Sequence, residues 1–292
     1  MNRLKAWIIS VRLQSLTLSL SAIIMGSICA ARNGLFRWEV FIWASLTAIF
    51  LQILTNLSND YGDSVSGADD ENRQGPKRMI QSGFITIPQM KTAFIISGIC
   101  AFCCGLVMIY AAFGLKLETF LFLILGIIAV FAAVRYTVGR NPYGYRGFGD
   151  ISVFLFFGIA GVAGTYFLHG ITWNWTILLP ASTLGFFVTG VLNINNIRDI
   201  EPDKKVGKNT LIVKIGRQTA SWYHFFLILS GWICFLVFIS ISGKNHLFPI
   251  LTLPLFIMNV YMVFNKNSPK ELDLQLRNLS LMTLLFVILY AV

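Results

Sequence analysis

The sequence predicts an all-α fold, a polytopic bundle of nine transmembrane helices. Its 292 residues are 56% hydrophobic and only 12% charged, and their mean hydropathy is +0.70, well above that of an ordinary soluble domain. Apolar runs of about 17 to 25 residues, long enough to cross the hydrocarbon core as a helix, recur along the whole chain. These runs are continuous rather than alternating, so they predict helices instead of the strands of a barrel.

The nine runs follow one another with short polar connections. The first four are bounded by basic or acidic residues and lie at 13–31, 39–58, 89–112 and 117–135. The next two follow the polar segment after Arg135 and lie at 151–169 and 174–194. The last three lie at 220–242, 247–264 and 276–292. No remaining stretch is long enough for a soluble domain, so we expect residues 1–292 to form a single integral-membrane domain.

Basic residues indicate the orientation, because cytoplasmic loops of membrane proteins carry an excess of lysine and arginine. With nine spans and a cytoplasmic N-terminus, all but four of the 23 basic residues lie on the cytoplasmic side. The exceptions are Arg32, Arg37, Lys116 and Lys244. We therefore expect a cytoplasmic N-terminus, and we attribute the net charge of +10 to this bias rather than to nucleic-acid binding.

Acidic residues are distributed in the same way, although no topology rule requires it. Of the 13 carboxylates, only Glu39 and Glu118 fall on the outer side. One cytoplasmic segment directly after the second run is the most acidic part of the chain and contains Asp60, Asp63, Asp69, Asp70 and Glu71. This concentration of acids on the basic side of the membrane indicates a functional site.

Two cytoplasmic helix ends carry related patterns of amides and carboxylates. The second run ends in NLSNDYGD, and helical spacing places four of its side chains on one face: Asn56, Asn59, Asp60 and Asp63. The sixth run ends in NINNIRDIEPD, which repeats this spacing with Asn196, Asp199 and Asp203. Like charges at this spacing repel, and charges are costly near hydrocarbon, so a cation must neutralise them.

Either loop lysines or a divalent metal ion can supply that cation. Carboxylate and amide oxygens, without a nearby His or Cys, suit Mg²⁺ better than Zn²⁺. Magnesium often shares its shell with phosphate, so two facing aspartate clusters would hold a diphosphate. The residues expected to bind the diphosphate besides the aspartates are Asn56, Asn59, Arg73, Lys77, Arg78, Asn196, Arg198, Lys204 and Lys208. The alternative is a charged loop that only fixes topology.

The two motifs resemble the signature of the UbiA-type intramembrane prenyltransferases. That signature is N-D-x-x-D-x-x-x-D after the second helix and D-x-x-x-D after the sixth. Asn59, Asp60 and Asp63 match the first motif. Its last acidic position is Gly67 here, with Asp69 two residues later. Asp199 and Asp203 match the second motif.

Three longer segments are similar to the 1,4-dihydroxy-2-naphthoate prenyltransferase branch of this family. They are NDYGDSVSGADDENRQGP, RYTVGRNPYGYRGFGDISVFLFFG and NNIRDIEPDKKVGKNTL. The resemblance implies transfer of a polyprenyl group from polyprenyl diphosphate to the naphthoate, with loss of CO₂ and diphosphate, giving demethylmenaquinone for menaquinone biosynthesis. It also implies a bacterial inner membrane with a cytoplasmic active site. The start of the first helix departs from the branch, since RLQSLTLS replaces its prolines, and we assign that region no role.

The resemblance further implies roles for single residues. The expected metal ligands for Mg²⁺ are Asn59, Asp60, Asp63, Asp69, Asp199 and Asp203. Metal and basic residues would make diphosphate a better leaving group, and the acceptor ring would attack the allylic cation. The expected catalytic residues are Asp63, Asp69, Asp199 and Asp203, with Asp203 or Asp69 as the base.

The acceptor site and the acceptor itself leave alternatives. Arg135 and Tyr136 are expected to contact the aromatic acceptor, and an interfacial anchor pair is the other interpretation. Another acceptor, such as 4-hydroxybenzoate, would fit the same motifs. From a different class, a cation transporter also places carboxylates and asparagines within a membrane. Acids at one membrane face, rather than at the midplane, favour the enzyme.

Overall fold

The computed structural model describes residues 2–67, 78–170, 174–243 and 247–292. In these ranges the α-helices are α1 (Arg3–Val11), α2 (Leu13–Ala31), α3 (Trp38–Val65), α4 (Ile87–Phe113), α5 (Leu117–Arg135), α6 (Gly149–Val153), α7 (Thr165–Leu168), α8 (Leu178–Arg198), α9 (Ile200–Lys205), α10 (Leu211–Ser242), α11 (Leu253–Asn265) and α12 (Pro269–Ala291). A π-helix, Phe154–Gly164, joins α6 to α7.

Nine helical segments of the described ranges are long and apolar enough to cross a membrane. The fifth combines α6, the π-helix and α7 as Gly149–Leu168, and the sixth runs from Trp175 to Arg198. The predicted all-α bundle with nine spans is therefore confirmed, and the protein is an integral membrane protein.

Three helices extend beyond their predicted ends. α3 continues to Val65 instead of ending near residue 58, so both Asp60 and Asp63 are helical. α10 and α12 begin about two turns earlier than predicted, where hydroxyl caps start them: the side chain of Thr210 accepts from the backbone of Val213, and that of Ser268 from the backbone of Glu271. A hydropathy run ends where polar residues begin, whereas α3 and α12 continue through them. In α10, a kink at Gly216 (φ 77°) separates the first turns from the rest of the helix.

The main core lies around α8, the most buried of the nine spans. Side chains of α8, α10, α11 and α12 meet in an aromatic cluster formed by Phe187, Trp232, Phe235, Phe256 and Phe286. A second core joins α1, α3 and α4 around Leu54, Leu57, Met90 and Phe94. The described residues of α5 include none that is buried, so this helix faces lipid along most of its length.

Close packing in the bundle depends on small residues. A β-carbon at Gly158 in the π-helix would lie 2.6 Å from the carbonyl oxygen of Ala181 in α8, and one at Gly26 in α2 would lie 2.4 Å from the carbonyl oxygen of Val162. Such contacts let helix backbones approach each other, the usual way in which membrane helices associate. They hold the fifth span between α2 and α8.

The junction of α1 and α2 is a sharp turn at Arg12, which has a left-handed backbone (φ 54°). Asn56 of α3 fixes this turn, because its side-chain amide donates to the carbonyl of Val11 and to the hydroxyl of Ser15. The turn directs Arg12 toward the end of α3, where the acidic residues lie.

Candidate active site

The last two turns of α3 carry a pair of carboxylates into the protein interior. Asp60 is 2% exposed and Asp63 is 3% exposed. They lie at the C-terminal end of a membrane-spanning helix, Trp38–Val65, whose preceding turns are apolar. Burial of two ionised groups at this spacing requires compensation by positive charge.

Three basic side chains from different parts of the chain supply that charge. Oδ1 of Asp60 lies 2.5 Å from Nη2 of Arg12 and 2.5 Å from Nη1 of Arg78. Arg78 also bridges to Oδ2 of Asp63 through Nη2. Lys208 approaches the other oxygen of Asp63, with Nζ 3.2 Å away. The predicted cations near these acids therefore include the chain's own arginines and lysine.

Lys208 also joins the two acidic motifs. Its Nζ lies 3.2 Å from Oδ1 of Asp63 and 3.5 Å from Oδ1 of Asp203, so one ammonium group bridges a carboxylate at the end of the second span and a carboxylate that follows the sixth span. Asp203 lies on α9 and is 9% exposed. Burial raises the pKa of Asp203 to about 6; Lys208 opposes the shift, and Asp199 and Asp63 add to it. The two motifs thus face each other across a gap that one cation spans.

The end of α8 places its polar residues differently from the end of α3. α8 stops at Arg198, and Asp199 is the junction to α9. The guanidinium of Arg198 donates to Asp199, to Asp273 of α12 at 2.7 Å, and to Asn195 at 2.8 Å. These contacts tie α8 to α12.

The asparagines and Lys204 occupy four distinct settings. Asn59 accepts a hydrogen bond from the hydroxyl of Thr137 through Oδ1, and Asn56 holds the α1–α2 turn. Asn196 is buried on α8, whereas Lys204 is exposed on α9. The hydrogen bond to Asn59 therefore links α3 to the segment that follows α5.

Arg135 is the last residue of α5, and Tyr136 follows it directly. The ring of Tyr136 is held between Gly144 and Gly149, where a β-carbon would come within 2.9 Å of Cε1 and of the hydroxyl oxygen, respectively. Burial raises the pKa of Tyr136, and the carboxylates of Asp150, Asp203 and Asp63 add to the shift. Nη1 of Arg135 lies against Gly139. The negative charges of the acidic residues therefore favour the protonated form of the Tyr136 phenol.

Tyr145 is a site residue that sequence analysis did not identify. Its hydroxyl donates to Oδ1 of Asp63, the ammonium of Lys208 lies 4.5 Å from the centre of its ring, and its carbonyl accepts from the backbone of Asn209 at 2.8 Å. The signal in the sequence was the turn-rich stretch NPYGYRG, but its pattern does not distinguish Tyr145 from Tyr143. Arg12 was counted only as a topology marker and proves to contact Asp60.

Several predicted site residues lie outside the described ranges. They are Asp69, Arg73 and Lys77. Among the residues that the structure describes, no three His, Cys, Asp or Glu side chains lie close enough to form a metal site by themselves. The described donors nevertheless suit a hard cation, because they are carboxylate and amide oxygens and because Lys208 already holds a positive charge between Asp63 and Asp203.

This arrangement can bind a polyanion at the membrane surface. Guanidinium and ammonium groups can exchange a carboxylate partner for a phosphate oxygen, since both are anionic acceptors of similar geometry. The apolar tail of such a ligand would remain among the helices, while its phosphate group reaches the buried carboxylates and their basic partners. The chemistry that fits is transfer of a group from a lipid-soluble phosphate ester.

Comparison with known proteins gives consistent results. The family model described as the UbiA prenyltransferase family matches residues 19–287. The chain is 41% identical to the 1,4-dihydroxy-2-naphthoate octaprenyltransferase of Haemophilus influenzae, covering 99% of this chain and 96% of that protein. It is 40% identical to the Escherichia coli protein of the same name, covering 98% and 95%. The corresponding Mycobacterium tuberculosis protein is 32% identical over 80% of this chain and 78% of its own length.

Solved structures share the fold. A UbiA homolog from Aeropyrum pernix superposes with a TM-score of 0.72 at 14% identity, covering 95% of this chain and 98% of that one. A UbiA homolog from Archaeoglobus fulgidus, solved with DMAPP and Mg²⁺, has a TM-score of 0.68 at 16% identity and covers 97% of each chain. With a family model over nearly the whole length and relatives at 40% and 41% identity, the chain belongs to the UbiA prenyltransferase family.

Proposed function

We propose that this enzyme transfers a polyprenyl group from polyprenyl diphosphate to 1,4-dihydroxy-2-naphthoate, with loss of CO₂ and diphosphate, to give demethylmenaquinol, the reduced form of demethylmenaquinone. The observation that carries the proposal is that Asp63 and Asp203, one from each diphosphate motif, face each other across Lys208. The naphthoate as acceptor is supported by relatives of that name at 41% and 40% identity over almost the full chain. No feature of the described residues favours a cation transporter over this reaction.

Diphosphate binding is assigned to both motifs and to the basic residues between them. When bound, Mg²⁺ would neutralise the diphosphate and so favour its departure from the allylic carbon. The residues that would hold it are Asn59, Asp60, Asp63, Asp69, Asp199 and Asp203. The solved relative with DMAPP and Mg²⁺ supports divalent metal use in this fold.

The basic residues would stabilise the leaving group directly. Arg78 and Lys208 contact the carboxylates of Asp60, Asp63 and Asp203 in this state. As metal and diphosphate enter, these side chains can turn from the carboxylates to phosphate oxygens without leaving the site. Arg73, Lys77 and Lys204 are proposed to bind further phosphate oxygens, whereas Arg198 contributes by tying α8 to α12.

The acceptor is proposed to bind beside Tyr136. Burial keeps this phenol protonated and the surrounding carboxylates reinforce that state, so it can donate a hydrogen bond to an oxygen of the acceptor. Closure of the site by the segment of Tyr145 would exclude water from the allylic cation. This arrangement favours attack by the electron-rich ring over hydrolysis.

A transfer assay tests the acceptor assignment. Purified protein in proteoliposomes, with geranylgeranyl or longer diphosphates, is expected to release CO₂ in step with prenylated product when the naphthoate is supplied. Decarboxylation accompanies transfer because the prenylated ring regains aromaticity by losing the carboxylate. If 4-hydroxybenzoate were prenylated with its carboxylate retained and the naphthoate were ignored, the acceptor would be wrong. Ion flux without prenyl transfer would instead identify a transporter.

The orientation is a separate proposal, with the N-terminus and the active site in the cytoplasm. In a background free of native cysteines, we expect a membrane-impermeant thiol reagent added outside intact cells to label Leu115→Cys and not Lys205→Cys. Both residues are exposed, and neither needs the positive φ of the turn glycines Gly114 and Gly207. Labelling of Lys205→Cys alone from outside would reverse the topology.

A further inference from the structure

A buried carboxylate outside the two acidic motifs has no role in the reaction described so far. Asp150 lies in the first turn of α6 and is 6% exposed. Its described hydrogen-bond partner is the hydroxyl of Tyr223 on α10, which donates to Oδ1 over 3.4 Å. This is a long contact for an O–H donor, whose usual distance is about 2.7 Å.

Asp150 differs from the other buried acids in its lack of a cation. Asp60, Asp63 and Asp203 each lie within 4 Å of an arginine or lysine nitrogen, whereas no described arginine or lysine forms an ion pair with Asp150. A buried carboxylate has about four acceptor positions and is costly when they are unfilled. The side chain therefore retains capacity to accept a further hydrogen bond.

The position of Asp150 places it beside the proposed acceptor pocket. The adjacent Gly149 contacts the phenol of Tyr136: a β-carbon at Gly149 would lie 2.9 Å from its hydroxyl oxygen and 3.4 Å from Cδ2 of Leu192. The lack of a side chain at Gly149 therefore lets α6 pack closely against the phenol of Tyr136 and against Leu192 of α8. The carboxylates of Asp150, Asp203 and Asp63 all raise the pKa of Tyr136, so the phenol experiences the charge of Asp150 as well as that of the two acidic motifs.

We propose that Asp150 is an acceptor-binding residue whose carboxylate accepts a hydrogen bond from a ring hydroxyl of the aromatic substrate, with Tyr223 as a positioning residue that orients the carboxylate. The proposal rests on the proposed function, since it requires a hydroxylated aromatic acceptor. The acceptor ring would lie between Asp150 and the diphosphate. One ring hydroxyl would donate to Asp150, on the side of the ring that faces away from the two acidic motifs. No proton transfer or bond change is required of Asp150.

The test compares binding and kinetics of matched acceptors. Equilibrium Kd values are measured without prenyl diphosphate for 1,4-dihydroxy-2-naphthoate and for its two monohydroxy analogues, 1-hydroxy-2-naphthoate and 4-hydroxy-2-naphthoate. Wild type is expected to bind one analogue about tenfold or more weakly than the dihydroxy compound, as for loss of a hydrogen bond to a charged group. In Asp150→Asn this difference should fall to about twofold, and the KM for the naphthoate should rise about tenfold while that for prenyl diphosphate stays within twofold.

Tyr223→Phe and Tyr166→Phe separate positioning from folding. Tyr223→Phe should raise the acceptor KM about threefold through looser placement of the carboxylate. Tyr166→Phe, which removes another buried tyrosine hydroxyl bonded to Asn33 at 3.0 Å, should change neither KM. If Asp150→Asn does not fold by its thermal midpoint, Tyr223→Phe carries the same comparison of analogues.

The outcomes distinguish this inference from the function on which it rests. If wild type prenylates the naphthoate but Asp150→Asn keeps the full discrimination between analogues, Asp150 serves only to link α6 to α10 and the inference is wrong. A fall in kcat or in thermal midpoint without a change in acceptor KM leads to the same conclusion. If wild type does not prenylate the naphthoate at all, the proposed function itself fails.

Discussion

Asp63→Asn and Asp203→Asn are each expected to lower kcat by about 10²-fold or more, and the double variant is expected to lose little beyond either single one. The reason is that Asp63 and Asp203 face each other across one cation and are proposed to hold metal for the same diphosphate. Residues that act as one unit are non-additive, because once one side of the site is lost the other has little left to contribute. Steady-state transfer assays on the three variants measure this.

The matched control is Glu271→Gln, which neutralises an acid of the same membrane face. Glu271 is exposed, where it contacts Lys266 and Ser268, so its loss should leave transfer unchanged. Asp63→Asn removes a partner of Arg78 and Lys208, so its thermal midpoint should fall below that of wild type while the protein remains folded. Losses that multiply in the double variant would show that the two aspartates act at independent sites.

Removal of divalent metal is expected to abolish prenyl transfer. We expect no detectable turnover in excess EDTA and recovery on addition of Mg²⁺ or Mn²⁺, because the candidate ligands are oxygens suited to these ions. Arg12, Arg78 and Lys208 supply three positive charges, which the carboxylates of Asp60, Asp63 and Asp203 already offset. A bound diphosphate therefore requires further positive charge. Turnover by EDTA-treated enzyme equal to that of an untreated sample would exclude a metal requirement.

The sequence predicted the helices well because lipid leaves few choices. A chain that crosses hydrocarbon must satisfy its backbone within each segment, so long apolar runs identify helices without knowledge of the fold. The predicted ends at 58, 220 and 276 were wrong because hydropathy does not detect the polar turns of α3 or the caps at Thr210 and Ser268.

The two acidic motifs were also accessible from the sequence. Helical spacing put Asp60 and Asp63 on one side of α3, and the structure brings Asp63 within reach of the lysine that contacts Asp203. The roles of individual ligands remain predictions, and those of Asp69, Arg73 and Lys77 concern residues outside the described ranges.

Local pattern and composition therefore determined the membrane class, the number of spans and the two acidic motifs that are proposed to bind diphosphate. Only the tertiary structure decided the partners of these motifs: Arg12 with Asp60, Tyr145 with Asp63, Thr137 with Asn59, and Tyr223 with Asp150. Each pair joins residues at least 48 positions apart. Periodicity reports which side of one helix a residue occupies, whereas contacts between helices depend on how the whole bundle packs.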